Sequence, residues 1–149
     1  MVGTVSYDVR LGGSTEAEAL LTELRKAFPR LVIQLLSLPD KPSSNRIRMI
    51  ASQTVRSQKM GDLLAGKPEV DLLLRMAGTT QISRAISSVG YQRSGSRLIV
   101  AIGARGDIRE LEYRAVQNPE RYTKTAGRRL TNSDLEAIER AALLNAVRS

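Results

Sequence analysis

Hydrophobic periodicity divides most of the chain into elements. Val5, Tyr7, Val9 and Leu11 alternate with other positions, so residues 2–11 predict a strand, ended by Gly12-Gly13. Ala17, Leu20, Leu21, Leu24 and Phe28 then recur at helical spacing. Thr15-Glu-Ala-Glu18 has the pattern of a capping box, and Pro29 stops the helix. Glu16 and Glu18 near its start and Arg25 and Lys26 near its end suit the helix dipole. Leu31 to Leu38 predicts a buried strand, and Pro39 to Ser44 a loop. Ser44 or Asn45 can cap a helix running to about Met60, with Ile47, Ile50, Ala51, Thr54 and Val55 inward. Gly61 and Gly66-Lys-Pro68 close this half of the chain.

The second half follows a similar plan. Val70 to Met76 is a short apolar run flanked by charge and predicts a strand. Ile82, Ala85, Ile86 and Val89 lie on one helix face, with Thr79 or Thr80 to cap its start and Gly90 its end. Leu98 to Ile102 is a second apolar strand, so the unit reads strand–helix–strand. Glu110 to Val116 fits helix or strand, and residues 118–130 read as irregular, polar and basic. Ser133-Asp-Leu-Glu136, a second capping-box pattern, opens a last helix to about Val147. No repeat, low-complexity tract or long linker divides residues 1–149, so one domain is expected. Strands interleaved with helices predict an α/β two-layer domain.

Charge adds a functional direction. The net charge is +8 and the isoelectric point about 10.4, and basic domains collect polyanions. Between Asp71 and Asp107 there is no acid, while Arg75, Arg84, Arg93, Arg97 and Arg105 occur, which predicts a phosphate-attracting surface. Lys41, Arg46, Arg48, Arg56 and Lys59 fall in a second acid-free stretch, between Asp40 and Asp62. Arg48, Ser52, Arg56 and Lys59 share one stripe of the predicted helix. A third cluster, Arg121-Tyr-Thr-Lys124 with Arg128-Arg129, includes an aromatic able to stack on a base.

Composition narrows the chemistry. Hydrophobic residues make up 42% and aromatics 3%, so the core must be aliphatic. There is no cysteine, hence no disulfide or thiolate chemistry, and no histidine, the commonest general base and metal ligand. No paired acid–base site, P-loop or nucleophile elbow is present; Ser94-Gly-Ser96 reads as a turn. No catalytic residue, metal site or cofactor is therefore expected. Neither a leader-like segment nor a long apolar run occurs, so a cytoplasmic protein without membrane contact is expected. Gly103-Ala-Arg-Gly106 has the glycine spacing of a KH-domain loop, but Ile108 follows the second glycine by two residues where that pattern wants three.

Leu72-Leu-Leu-Arg-Met-Ala-Gly-Thr-Thr-Gln-Ile-Ser-Arg-Ala-Ile86, followed by a Val-Gly pair and an apolar strand, resembles the signature of a known family. This is the small kinase-binding subunit of the KEOPS/EKC complex (the PRPK-binding, or TPRKB, family), in its archaeal-type form. The family pattern is an apolar strand, a small residue, Gly, two variable polar positions, Gln-Ile, an alanine three residues on, and a closing glycine. Gln53-Thr-Val-Arg56, Gly61, Leu64-Ala65 and Glu136 to Leu144 extend the likeness. Asp71 stands where the family commonly has Glu, and Thr80 where it often has Arg.

The resemblance implies a mostly antiparallel sheet flanked by helices and a non-catalytic role. Such subunits bind a small atypical kinase/ATPase at its N-terminal lobe. Their complex helps install threonylcarbamoyl on the adenosine beside the anticodon of ANN-decoding tRNAs, and the archaeal-type subunit is associated with the tRNA 3′ CCA end. Here the expected tRNA site is a groove between the 45–60 helix and the 78–90 unit. Arg48, Arg56, Lys59 and Arg84 would meet phosphates there, and Thr79, Thr80 and Gln81 a phosphate, 2′-hydroxyl or base edge. On the last helix, Leu135, Ile138 and Ala142 are expected to face the kinase, because apolar residues cover more than one side of it. The alternatives are a stand-alone KH-like RNA-binding module and a protein adaptor without RNA contact.

Overall fold

Alternating apolar residues build the sheet. The computed structural model describes residues 2–93 and 96–147, so Ser94 and Gly95 of the predicted turn lie outside the described residues. Strands β1 (Val2–Val9), β2 (Val32–Ser37), β3 (Arg97–Ala104) and β4 (Tyr122–Lys124) form one four-stranded sheet in the order β2-β3-β1-β4. Each of the pairings between these strands is antiparallel. β3 is central and buried on both faces, with Leu98, Val100 and Ile102 in one core and Ile99 and Ala101 in the other.

Helices cover both faces. α1 (Ser14–Ala27) and α5 (Arg105–Val116) cover one, through Leu20, Leu21, Leu24, Ile108 and Leu111. α2 (Ser44–Lys59), α3 (Pro68–Ala77), α4 (Ile82–Val89) and α6 (Asn132–Val147) cover the other. Each face thus makes a two-layer packing of helix on sheet, and the chain is an α/β domain with an antiparallel sheet flanked by helices. Both cores are largely aliphatic; the exception is the edge-to-face pair Tyr7 and Tyr122, with ring centroids 6.0 Å apart.

The largest correction concerns Val70 to Met76, which is helix α3 rather than a strand. Pro68 occupies its first turn, where the missing N–H costs nothing. Glu69 and Asp71 sit at its positive end. Gly78 closes it in the left-handed conformation (φ 72°), donating to the Leu74 and Arg75 carbonyls. Residues 71–76 are all buried, because α3 packs against β2, α2, α4 and α6. Its polar stripe, Asp71 and Arg75 at i, i+4, is buried as an ion pair and interrupts the apolar run only twice, so a segment this short reads like a buried strand. The unit is therefore helix–helix–strand.

Smaller differences lie at the helix ends. α1 begins after Gly13 without a side-chain cap, so the Thr15–Glu18 box does not form; Glu16 Oε2 instead accepts the Gly12 N–H at 2.7 Å. Ser43, not Ser44 or Asn45, caps α2, accepting the Arg46 N–H at 3.2 Å. Gln81 precedes α4 without a side-chain cap, and neither Thr79 nor Thr80 fills that role. Gly90 ends α4 in extended backbone (φ −67°), where a Cβ would run into the Ile86 carbonyl oxygen. The second capping box forms two residues early: Thr131 Oγ1 accepts the Asp134 N–H at 3.2 Å and Asp134 Oδ2 accepts the Thr131 N–H at 2.9 Å. Glu110 to Val116 is part of α5, and the irregular 118–130 stretch contains β4.

One buried ion pair ties three of these helices together. Arg75 is 2% exposed and Asp71 0%. Arg75 Nε donates to Asp71 Oδ1 at 2.7 Å, and Nη2 to Asp71 Oδ2 at 3.2 Å. The guanidinium also donates to Ser57 Oγ (2.8 Å) on α2 and to the Ala141 carbonyl (2.9 Å) and Asn145 Oδ1 (2.7 Å) on α6. Asp71 accepts from Thr54 Oγ1 at 2.7 Å and from the Leu64 N–H at 2.9 Å. Removing one partner strands a buried charge, which costs about 3–5 kcal/mol. Arg75→Met should lower the denaturant unfolding free energy by roughly that amount, and Asp71→Leu combined with Arg75→Met should recover a large part of the loss. Equal stability of Arg75→Met and the parent chain would refute this role.

Candidate nucleic-acid interface

Several basic residues of the sequence are structural. Arg75 is held in the pair with Asp71, and Arg97 is buried, donating to the Tyr91 carbonyl (2.9 Å) and the Arg93 carbonyl (3.2 Å). Arg46 is buried between Asp40 (2.9 Å) and Asp134 (3.6 Å). Arg121 pairs with Glu16, Lys124 with Glu112, and Arg128 with Asp134. Tyr122 packs in the core against Tyr7, so the third cluster presents no free aromatic for stacking. The acid-free stretches thus do not form continuous phosphate-attracting surfaces. Arg46, Arg75 and Arg97 of these stretches are answered by carboxylates or carbonyls, whereas Arg48 and Arg105 are not.

The predicted groove is also divided. α3 packs against both α2 and α4 and stands between them. Arg48, Arg56 and Lys59 are exposed on α2, whereas Gln81 and Arg84 are exposed at α4. Thr79 and Thr80 are half-buried, and Thr79 Oγ1 accepts the Gln81 N–H at 3.2 Å. Sequence-predicted site residues therefore fall into two groups that do not border one groove.

The structure instead sets Arg48 in a cleft of about 570 Å³. Its floor is the first half of β1, from Val2 to Ser6. Arg48, Ser52 and Val55 of α2 form one wall, and Arg105, Ile108 and Arg109 of α5 the other. Among the described residues, no ion pair or hydrogen bond engages the side chains of Arg48, Arg105 or Arg109. Glu112 also lines the cleft, with its charge met by Lys124 at 3.3 Å. Three guanidinium groups around one concavity offer the donors and charge that an anion with several negative groups requires. Arg105 and Arg109 sit one turn apart at the start of α5. They are paired only by the helix over residues 105–116, a segment whose local pattern fits helix or strand from Glu110 onward.

The apolar side of α6 is partly used by the core. Ala141 and Leu144 are buried, and Ile138 is half-buried, its carbonyl accepting from Gln53 Nε2 at 3.0 Å. Leu135 and Ala142 are exposed, as are Leu143 and Val147. Of the residues expected to face a partner, Leu135 and Ala142 are free to do so and Ile138 is largely engaged.

Gly103 to Gly106 spans the end of β3 and the first turn of α5, so it joins a strand to a helix and does not form a KH-type loop. No cluster of potential metal ligands exists among the described residues, and no helix among them is long and apolar enough to cross a membrane. No protein-family model matches the chain, and no curated protein sequence matches it.

The carboxylate with a displaced pKa is structural as well. Asp134 is held below the usual carboxylate range, first by the Thr131 N–H, then by the Thr131 hydroxyl and the Arg128 and Arg46 charges, against the opposing cost of burial. A carboxylate whose pKa falls on folding stabilises the fold above its unfolded pKa of about 4, and that stability is lost as pH falls through the lower folded value. Asp134→Asn should therefore lower stability at neutral pH and flatten the acid limb of a stability–pH curve measured by urea unfolding. An unchanged acid limb would exclude this contribution.

Proposed function

We propose that the chain is a non-catalytic RNA-binding subunit of a tRNA-modifying assembly, holding the single-stranded 3′ CCA end of tRNA. The observation that carries this reading is the cleft in which Arg48, Arg105 and Arg109 face one concavity without carboxylate partners. Arg56 and Lys59 prolong the basic side of α2 beyond it. The assembly comes from the residue likeness over Leu72–Ile86, whose first element is helix α3 here and not the strand of the family pattern: the KEOPS complex, with its small atypical kinase/ATPase as the direct partner and other subunits performing the chemistry. Arg84 and Thr79 to Gln81 belong to a separate surface in this reading.

Affinity for tRNA should fall with salt, with a slope of about −0.7 per contacted phosphate of a single strand. Arg48→Glu or Arg109→Glu should weaken binding and reduce that slope by about one unit, while Arg84→Glu leaves it unchanged. Removing the CCA end should weaken binding more than altering the anticodon. Equal affinity for intact and trimmed tRNA, measured by fluorescence anisotropy, would remove the end-binding role.

The exposed apolar residues of α6 support the kinase as partner, since a helix side left free by the core can serve an interface. Leu135→Glu or Leu143→Glu should abolish co-purification with the kinase and leave the unfolding free energy within about 0.5 kcal/mol. Undiminished co-purification of both variants would move the interface elsewhere.

A further inference from the structure

The sheet ends on an open strand edge inside the basic cleft. β4 pairs with β1 only from Tyr7 to Val9, flanked by bonds from the Arg10 N–H to the Arg121 carbonyl at 2.9 Å and from the Thr125 N–H to the Ser6 carbonyl at 3.1 Å. The chain then turns away to the start of α2. The Ala126 carbonyl accepts the Ser44 N–H at 3.0 Å, and the Arg128 carbonyl accepts Asn45 Nδ2 at 2.8 Å. Among the described residues, β1 is left paired with β3 along its whole length and unpaired on its other side from Val2 to Val5.

Strand geometry states which groups are free. Backbone N–H and C=O groups alternate between the two edges of a strand. Ser6 faces β4, so Thr4 and Val2 face the same way, and among the described residues their N–H and C=O groups have no partner strand there. An edge of this kind accepts another strand unless it is covered or charged.

We infer that this edge is a docking site for an extended acidic segment of a partner protein, which adds to β1 as a further strand. Spacing argues for a peptide. Thr4 and Val2 offer donors and acceptors in alternation, which a second peptide backbone matches group for group, whereas a phosphate chain offers acceptors alone. Charge argues for acidic side chains. Alternate residues of an added strand point toward α2, with Arg48, and toward α5, with Arg105 and Arg109. The same charges disfavour a second copy of this chain, because β1-to-β1 pairing would bring two basic clefts together. The inference shares the three arginines with the RNA reading and adds the open strand edge, and the two ligands would exclude each other from the cleft.

The test is binding of a short fluorescent peptide of alternating glutamate and valine to the full chain, without RNA. Saturable binding should slow hydrogen exchange at the Thr4 amide. Thr4→Pro removes that donor at an edge position where proline is tolerated, and should weaken binding about tenfold or more. In case this variant folds poorly, a peptide N-methylated on its strand-pairing amides probes the same bonds on the intact protein and should lose binding similarly. An alternating lysine–valine peptide should not bind. Equal binding of the N-methylated peptide, or no binding of the acidic one, overturns the proposal. Slowing of Thr4 exchange by single-stranded RNA but not by the peptide would overturn it while leaving the RNA reading intact.

Discussion

The Asp71–Arg75 pair is the constraint on which the helical half of this domain depends. Both charges are buried, and neither could remain so without the hydroxyl, amide and carbonyl groups around them. Those groups come from α2, α6 and the loop at Leu64. The three helices must therefore dock in one register, because a shift of one turn would leave a guanidinium or carboxylate unsatisfied. Apolar packing alone, supplied here by interchangeable Leu, Ile and Ala contacts, would tolerate such a shift more readily.

That register decides what α2 offers to solvent. Thr54 and Ser57 point inward, the first to Asp71 and the second to Arg75. The stripe carrying Arg48 and Ser52 consequently faces away from α3, toward β1 and α5. At the other end, Ser43 caps α2 and the segment after β4 bonds to Ser44 and Asn45. These end contacts draw the chain away from β1. One set of interactions thus orients the basic wall of the cleft, and another uncovers the strand edge at its floor.

Charge is distributed by the same logic. Arg46, Arg75 and Arg97 are buried and hydrogen-bonded, and Arg121, Lys124 and Arg128 pair with carboxylates across the fold. Arg48, Arg105 and Arg109 are left facing the cleft. The net charge of +8 describes the molecule's long-range field, while the site depends on which few guanidinium groups lack a carboxylate.

Local sequence pattern was enough for the α/β class, for three strands placed to within two residues of Val2–Val9, Val32–Ser37 and Arg97–Ala104, for the helices seeded by Leu20–Leu24, by Ile47–Thr54 and by Ala85–Val89, and for an aliphatic core. Each of these follows from a local period, since a side chain's place on a strand or helix is fixed by its neighbours in sequence. Tertiary structure alone decided the rest. Val70 to Met76 is a helix whose polar stripe, Asp71 and Arg75, is satisfied inside the fold by Thr54, Ser57 and Asn145 rather than by solvent, which a short local pattern does not reveal. Arg75 became an internal tie because Ser57, Ala141 and Asn145, distant in sequence, met it. Arg48 was separated from Arg84 and joined to Arg105 and Arg109 because α3 intervenes on one side and the sheet order brings β1 and α5 to the other. Ion pairs and clefts made by residues far apart along the chain leave no local period, so they are fixed only when the elements dock.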